Sequence, residues 1–443
     1  MKIVSDFLEI FSNILLVAIF AYIIVLIIKN NYLFLIALRN VFRNKRRTVI
    51  TILAISVGAI AIILFGGFVN DSFYGLREST IRSQLGHLQI AKKGYKEFNN
   101  NDPINYKLYN FEEIKKTLES DPFLKDKIEG IMPEVAFSGL ISTGDTSEVF
   151  MARGIDIETD RIFSSFDVIK SGKKLLKEDK GLALLGHILA KNLGAKVGDS
   201  LTAMVQTPKV GLNVLDVEVK GTTESFSSDY DKVMLKLSIQ DAWLLMGDKY
   251  ADKLIVLLKN TKDFDACNKR IQEITKENNF DLEFYTWEEL ATFYKGVVVL
   301  YSGIFNFVKL VICFIIIIFI TNTLFMTVME RVNEIGTLRT IGTTKLLVMQ
   351  NFITESIIMG IIGGIVGIIL GYLLANFINI FGIPMPPPPN ASKGYTANIR
   401  LDEQSLGFIY FSFKLSILTA FFAAFLPAKK AIKLSIVDAL RHI

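Results

Sequence analysis

The chain has 443 residues, of which 51% are hydrophobic and 21% are charged, so it is more apolar than an average soluble domain. This composition excludes a disordered chain and a nucleic-acid binder whose surface is basic throughout. The net charge is only +5, and two cysteines and three widely spaced histidines exclude a disulfide scaffold, a cysteine-rich metal site and a helical zinc motif.

Five stretches are long and apolar enough for membrane helices, since a bilayer core needs about 20 apolar residues. They are residues 8–28, 48–70, 298–329, 350–380 and 405–426. The first could be a signal peptide, but its apolar run exceeds the roughly 7–15 residues of a signal peptide and no small-residue cleavage site follows. We therefore predict five spans.

The third span is predicted to extend beyond the bilayer. A helix from about residue 296 to residue 329 is about 50 Å long, whereas the hydrocarbon core is about 30 Å thick. Its outer end should form a stalk, with Lys309 at the membrane boundary, because a lysine within lipid is costly.

Basic residues set the predicted orientation. They concentrate in the segments 29–47, 330–345 and 427–443, which are therefore predicted to be cytoplasmic. The long segment 71–297, more acidic than basic, and the proline-rich loop 384–404 would then lie outside. This arrangement fits an inner-membrane protein with a large extracytoplasmic domain; the inverted arrangement is the alternative.

The segment 71–297 shows a β-α-β pattern at both ends, in residues 84–138 and 251–286. Helices are expected at 111–119 and 263–277, each between apolar strands. Two such units predict a ferredoxin-like, porter-type sandwich. The part between them, residues 139–237, is rich in β-branched residues and predicts a mainly β lobe, with helices near 185–193 and 238–246.

The sequence lacks the motifs of common catalytic sites. It contains no Walker A loop, G-x-S-x-G, H-E-x-x-H or C-x-x-C, so no catalytic or metal-binding residue is predicted. His87, His187 and Cys267 stand in apolar surroundings and are interpreted as core residues.

Residues 330–342 read ERVNEIGTLRTIG, which resembles the ER-x-x-EIG-x-LR-x-x-G signature of the MacB/LolC–LolE/FtsX permeases of ABC transporters, the mechanotransmission or type VII class. Four further segments resemble the family in the same order. They are LRN at 38–40 with KRR at 45–47, GHILAKNLGAKVGD at 186–199, a glycine-rich helix after Glu355, and PAKKA at 427–431 with DALR at 438–441. Ile436 stands where the family has proline. The resemblance covers the chain from about residue 33.

The resemblance implies an α-helical membrane protein with an inserted α+β extracytoplasmic domain. The family has four core membrane helices, so the helix at 8–28 is extra. The signature segment would dock a cytoplasmic ABC ATPase, present in two copies, through Glu330, Arg331, Glu334, Ile335, Gly336, Leu338, Arg339 and Gly342. A short amphipathic helix at the membrane surface is the alternative interpretation.

The family also implies what this chain binds and does. It would bind no cofactor and not be an enzyme, since ATP and Mg²⁺ would be bound by the partner ATPase. A second permease, identical or different, and a periplasmic lipoprotein carrier or adaptor are further implied partners; nucleic acid is not. Segments 225–235 and 241–243 resemble the lipoprotein-releasing permeases, which favours lipoprotein extraction. MacB-like export of a peptide, toxin or antibiotic and FtsX-like regulation of a cell-wall hydrolase are the alternatives.

Two features of the spans carry predictions of their own. Small residues at every fourth position allow close helix packing, and they form two rows in the fourth span, either within one chain or at a dimer seam: Gly360, Gly363, Gly364, Gly367 and Gly371. Lys414 lies within the last span. It is expected either to snorkel to the head groups or to contact an anionic or lipid-linked substrate.

Overall fold

The computed structural model describes residues 2–98, 105–164, 167–207, 209, 211–225, 228–385 and 395–433. The proline tract at 386–389 and the tail from residue 434, with its DALR motif, lie outside the described residues. The chain divides into two compact units. We call the one built from residues up to 73 and from 299 onward the helical unit, and the one from 74 to 298 the sheet unit.

The helices are α1 Lys2–Lys29, α2 Asn31–Arg43, α3 Lys45–Thr80, α4 Tyr95–Phe98, α5 Phe111–Ser120, α6 Pro122–Lys125, α7 Ile157–Phe163, α8 His187–Leu193, α9 Ser228–Asp231, α10 Ile239–Met246, α11 Phe264–Glu277, α12 Trp287–Leu290, α13 Thr292–Glu330, α14 Val332–Thr340, α15 Lys345–Phe381 and α16 Leu406–Lys433. The strands are β1 Leu88–Lys92, β2 Ile128–Ser142, β3 Ser147–Ile155, β4 Val168–Gly172, β5 Leu182–Gly186, β6 Ser200–Thr207, β7 Gly211–Glu224, β8 Met234–Ser238, β9 Lys253–Leu258, β10 Leu282–Thr286, β11 Ile383–Met385 and β12 Tyr395–Ala397.

Among the described residues, five helices are long and apolar enough to cross a membrane. These segments are Glu9–Lys29, Lys45–Ser83, Thr292–Glu330, Lys345–Phe381 and Leu406–Ile432. The helices around the second, third and fourth predicted spans are longer than the apolar runs, because the polar residues at their ends continue the same helix. The helix α13 alone has 39 residues.

The basic segment after the first span contains the amphipathic helix α2. Asn30 and Asn44, which have non-helical backbone angles, separate it from α1 and α3. Its buried residues Leu33, Ala37 and Val41 recur every four positions and so lie on one face. This face joins the core of the helical unit, together with residues of α15 and α16.

The sheet unit is built on one mixed sheet in which β10, β1, β9 and β2 are neighbours in that order. These four strands pair antiparallel. If β1, β2, β9 and β10 are numbered 1 to 4 in chain order, the strand order in the sheet is 4-1-3-2. This is the order of a ferredoxin-like sandwich. The apolar faces of α5 and α11, including Cys267, bury against this part of the sheet.

The strand β2 belongs to both predicted lobes. Its first part pairs with β9, and its second part pairs with β3 and β6. The sheet then continues through β8, β5, β7 and β4, with α8 and α10 in a second core. The helix expected at 185–193 begins at His187, because residues up to Gly186 form β5.

Candidate coupling site

The helix α14, which carries most of the permease-like signature, has a buried and an exposed face. Val332, Ile335 and Gly336 are buried, and Ile335 packs among apolar residues that include Val328 of α13 and Phe352 of α15. This spacing is that of one helical face, so the buried residues of the signature attach α14 to its own chain.

The charged residues of the signature attach it further. Arg331 is 6% exposed and Glu355 of α15 is 4% exposed, and their Nη1 and Oε2 atoms lie 3.1 Å apart. Arg331 Nη2 also donates a hydrogen bond to the Asn40 carbonyl of α2 at 3.4 Å. The guanidinium therefore joins three helices at a buried point.

Two surface ion pairs flank this buried pair. Glu334 pairs with Arg43 at the end of α2, and Glu330 pairs with Arg47 in the first turn of α3. The hydrogen bond and negative charge of Glu334 raise the pKa of Arg43. The three ion pairs, Arg331–Glu355, Arg43–Glu334 and Arg47–Glu330, all lie within the helical unit. Together they form one charged network.

The structure thus divides the predicted docking set. Arg331, Ile335 and Gly336 are buried within the chain, which leaves no surface on them for a partner. The others are exposed or half-exposed: Glu330, Glu334, Leu338, Arg339 and Gly342.

Sequence reasoning missed Ile341, which is 79% exposed, while Leu338 is 52% exposed. The two lie three positions apart and so project from one side of the helix end. Gly342 follows with φ +106°, a backbone conformation that glycine adopts without steric cost. The spacing of two apolar residues before this glycine was the signal available in the sequence.

The glycine rows of α15 lie against two helices of the same chain. A methyl group on Gly360 would meet Ala420 Cβ of α16 at 2.8 Å. On the other face, one on Gly367 would meet Ala59 Cβ of α3 at 2.6 Å. Gly364 faces α16, and Gly363 and Gly371 face α3.

Hydroxyl groups join the same contacts. Ser56 Oγ donates to the Gly363 carbonyl at 2.9 Å, and Ser356 Oγ donates to the Ala420 carbonyl at 2.6 Å. Hydrogen bonds of this kind between helices require close backbones, which the small residues permit.

The contacts of Lys414 differ from both roles that the sequence suggested, snorkelling to the head groups and contact with a substrate. It is 4% exposed, and its Nζ donates hydrogen bonds to Ser12 Oγ at 3.0 Å and to Asn13 Oδ1 at 2.9 Å. Both acceptors belong to the extra helix α1. Lys414 therefore neither snorkels nor faces an open site, but fastens α1 to α16.

Lys309, the predicted boundary residue, lies over two aromatic rings. Its Nζ is 4.7 Å from the centroids of both Phe305 and Phe411. Cation–π contacts of this kind stabilise a partly desolvated ammonium group.

In the sheet unit, the GHILAKNLGAKVGD segment forms the end of β5, the helix α8 and a turn. A methyl group on Gly186 would lie 2.2 Å from the Asp231 carbonyl oxygen, so this glycine permits close backbone contact. Gly194 ends α8 in the left-handed conformation, as is common at helix C-termini. This motif has a structural explanation.

The two histidines of the sheet unit are buried or nearly so. His87 is fully buried, accepts a hydrogen bond from the Leu258 amide at its Nδ1 and contacts Thr261 Oγ1 through its Nε2. Burial, aided by nearby arginines, lowers the pKa of His87 to about 4. His187 Nδ1 lies 3.2 Å from an Asp231 carboxylate oxygen. Within the described ranges, no group of three or more His, Cys, Asp or Glu residues is arranged to hold a metal ion.

Two family models match the chain. The model of the MacB-like periplasmic core domain matches residues 48–274, and that of the FtsX-like permease C-terminal domain matches residues 306–436. Together they cover both units.

Curated relatives are distant. The lipoprotein-releasing system transmembrane protein LolE of Haemophilus influenzae is 23% identical, over 66% of this chain and 69% of its own. The ABC transporter permease YvrN of Bacillus subtilis is 24% identical, over 92% of this chain and 98% of its own. The crystal structure of the periplasmic region of MacB from Actinobacillus actinomycetemcomitans matches with a TM-score of 0.36 and 13% identity, covering 47% of this chain and 93% of that one.

Proposed function

This chain belongs to the ABC transporter permeases of the MacB, LolE and FtsX type, and we propose that it couples a separate cytoplasmic ATPase to movement of its sheet unit outside the membrane. In this proposal α14 is the element that the ATPase pushes. The chain itself does not hydrolyse ATP, and it works beside a second permease, identical or different, in the inner membrane of a bacterium.

The attachment of α14 carries the proposal. A force on an element reaches other helices only if that element is fixed to them. Arg331 joins α14 to α15 and α2 by a buried ion pair and a hydrogen bond, and Glu334 adds a surface pair to α2. Glu330, at the end of α13 directly before α14, pairs with α3. The exposed Leu338 and Ile341 leave an apolar contact for a partner.

The exposed pair offers the direct test. We expect Leu338→Ser/Ile341→Ser to lower recovery of the ATPase with the purified permease at least tenfold and to abolish coupled hydrolysis. The permease should keep its melting temperature, because exposed substitutions usually change stability by no more than about 0.5 kcal/mol. The control is Leu346→Ser, another exposed leucine near this turn. Full recovery and full activity of the double variant would remove α14 as the docking element.

Lipoprotein extraction is the substrate assignment we propose. The distant relation to LolE supports it, as does the resemblance of segments 225–235 and 241–243 to lipoprotein-releasing permeases. A periplasmic lipoprotein carrier would receive the cargo. The test is reconstitution with the ATPase in proteoliposomes that hold a lipid-modified lipoprotein, with its unmodified form as control. ATP-dependent release of only the modified form supports extraction; stimulation of hydrolysis by soluble peptides or antibiotics instead would favour MacB-like export, and activation of a cell-wall hydrolase without release would favour an FtsX-like role.

A further inference from the structure

A basic groove of about 760 Å³ lies between α3 and α13, at the end of these helices where basic residues concentrate. Four cations line one end of it: Arg43, Lys45, Arg46 and Arg47. Its size is that of a site for a small molecule or a lipid head group with part of its chains. Of its lining residues, Arg43, Arg47 and Glu330 belong to the ion pairs of the proposed coupling role, whereas Lys45 and Arg46 have no part in that role.

The groove carries excess positive charge. Arg43 and Arg47 are neutralised by their glutamate partners. Lys45 and Arg46 are exposed, and among the described residues no carboxylate forms an ion pair with either. Two uncompensated cations attract an anion, and they lie where the membrane helices begin.

Further along the membrane helices, the groove is mainly apolar. Ile50, Phe319 and Met326 line it, and these side chains are 50%, 51% and 53% exposed. Phe319 lies 11 positions before Glu330 on α13, which places it about 16 Å further along the helix. The groove therefore runs from a charged level into the depth of acyl chains.

A polar side chain lies among these apolar ones. Asn322 lines the groove and is exposed, and it has no hydrogen-bond partner within the part of the chain that the structure describes. An unpaired amide facing hydrocarbon is costly. Eight positions from Glu330, it is about 12 Å from the charged end, below the ester groups of a phospholipid whose phosphate is held at that end.

We propose that this groove binds one anionic phospholipid. Its phosphate lies between Lys45 and Arg46, and an acyl chain covers Ile50, Phe319 and Met326. In the proposed orientation the groove opens to the cytoplasmic leaflet, which carries anionic lipids that attract juxtamembrane lysines and arginines. The site goes beyond the coupling function and does not depend on which substrate the transporter moves.

The test uses the full-length protein with phosphatidylglycerol, phosphatidylcholine and glycerol phosphate as probes. Native mass spectrometry of delipidated protein should show one tightly retained phosphatidylglycerol, tenfold or more preferred over phosphatidylcholine, with no retention of glycerol phosphate. Each basic residue near a membrane surface contributes about a fivefold factor in affinity. Lys45→Gln/Arg46→Gln should therefore weaken phosphatidylglycerol binding about 30-fold.

The matched control is Lys345→Gln/Lys429→Gln. It removes the same charge from two exposed lysines outside the groove and should leave lipid binding unchanged. Equal weakening in the control would mean nonspecific attraction and overturn the site. If Lys45→Gln/Arg46→Gln keeps lipid binding but loses the ATPase in co-purification, the groove is a protein-docking surface and the lipid proposal is wrong. Loss of the lipid with full ATPase recovery supports it.

Discussion

At the scale of single residues, the charges of the permease signature have partners within the chain. The motif alone invites the interpretation that conspicuous charges face a partner protein. Arg331 instead lies beneath the surface with Glu355, 24 positions away along the chain. A buried ion pair fixes geometry more than it adds stability, because desolvation offsets most of its attraction.

Breaking this buried pair should be more harmful than deleting it. Arg331→Met leaves the Glu355 carboxylate buried without its partner and should destabilise the helical unit by about 3–5 kcal/mol. Adding Glu355→Leu should recover most of that loss. Thermal unfolding of the purified single and double variants measures both values; a double variant no better than the single one would contradict the pairing.

Lys414 allows a parallel experiment on the extra helix. Asn13→Leu removes one acceptor from a buried ammonium group and should cost about 1–3 kcal/mol. The same substitution should be nearly neutral in a Lys414→Met background, where no charge needs the acceptor. Melting temperatures of wild type, the two single variants and the double variant give the coupling energy. A coupling energy near zero would contradict the contact between α1 and Lys414.

The pH dependence of the sheet unit follows from two buried groups of opposite sign. The pKa of His87 is lowered to about 4 by burial, so the unfolded state binds its proton first and stability falls as pH decreases from about 6.5 to about 4. Burial raises the pKa of Asp252 to about 6. The unfolded state therefore loses this proton first, and the stability that Asp252 contributes is lost as pH rises from about 4 to about 6.

These two contributions change stability in opposite directions with pH and so offset each other. Removing Asp252 should therefore make the free energy of unfolding depend more steeply on pH. Asp252→Asn keeps an oxygen that can accept the Ala136 amide and leaves the His87 term of about 3 kcal/mol. Denaturant unfolding of residues 72–296, expressed alone, between pH 4 and 6.5 measures the slope. If wild type and Asp252→Asn have the same slope, the predicted Asp252 contribution is wrong, and a flat profile of Asp252→Asn would contradict the burial of His87 as a neutral group.

At the scale of elements, the local patterns of the sheet unit were readable from sequence because each βαβ helix has one apolar face. Phe111, Ile114 and Leu118 are all buried, as their spacing predicts. That β2 would run through both lobes was not predictable, since its pairing with β9 and β6 is set by contacts distant in sequence. The helix α2 was missed because its apolar face is narrow and its charges suggest a loop.

The glycine rows make a prediction at this scale. Gly367→Ala places a methyl group 2.6 Å from Ala59 Cβ, so α3 and α15 must separate and the melting temperature should fall by several degrees. Gly303 of α13 has open space at the same position, and Gly303→Ala should be neutral or slightly stabilising because alanine favours helix. Thermal unfolding of both variants in one detergent compares them, and equal effects would contradict close packing of this row.

At the scale of the whole molecule, the long apolar helices and the two β-α-β units follow from composition and periodicity, while the division of the signature residues into buried and exposed sets does not. Hydropathy reports which segments avoid water. It cannot report that Arg331 turns inward and Ile341 outward, because this depends on where α15 and α2 lie beside α14. The family resemblance identified the segment, and the structure separates its attached face from its exposed face.

The orientation of the chain is the last prediction, and it decides whether α14 can meet a cytoplasmic ATPase at all. The short basic segments predict that α14 is inside and the sheet unit outside. Cys267 is buried and Cys313 half-buried, so both are first replaced by alanine. Single cysteines then go to Ser120 in the sheet unit and to Thr340 in α14, which are both exposed. In intact cells stripped of any outer membrane, a membrane-impermeant maleimide should label Ser120→Cys and spare Thr340→Cys until the membrane is opened. The reverse pattern would place the sheet unit with the ATP supply and α14 outside, where no cytoplasmic motor could push it.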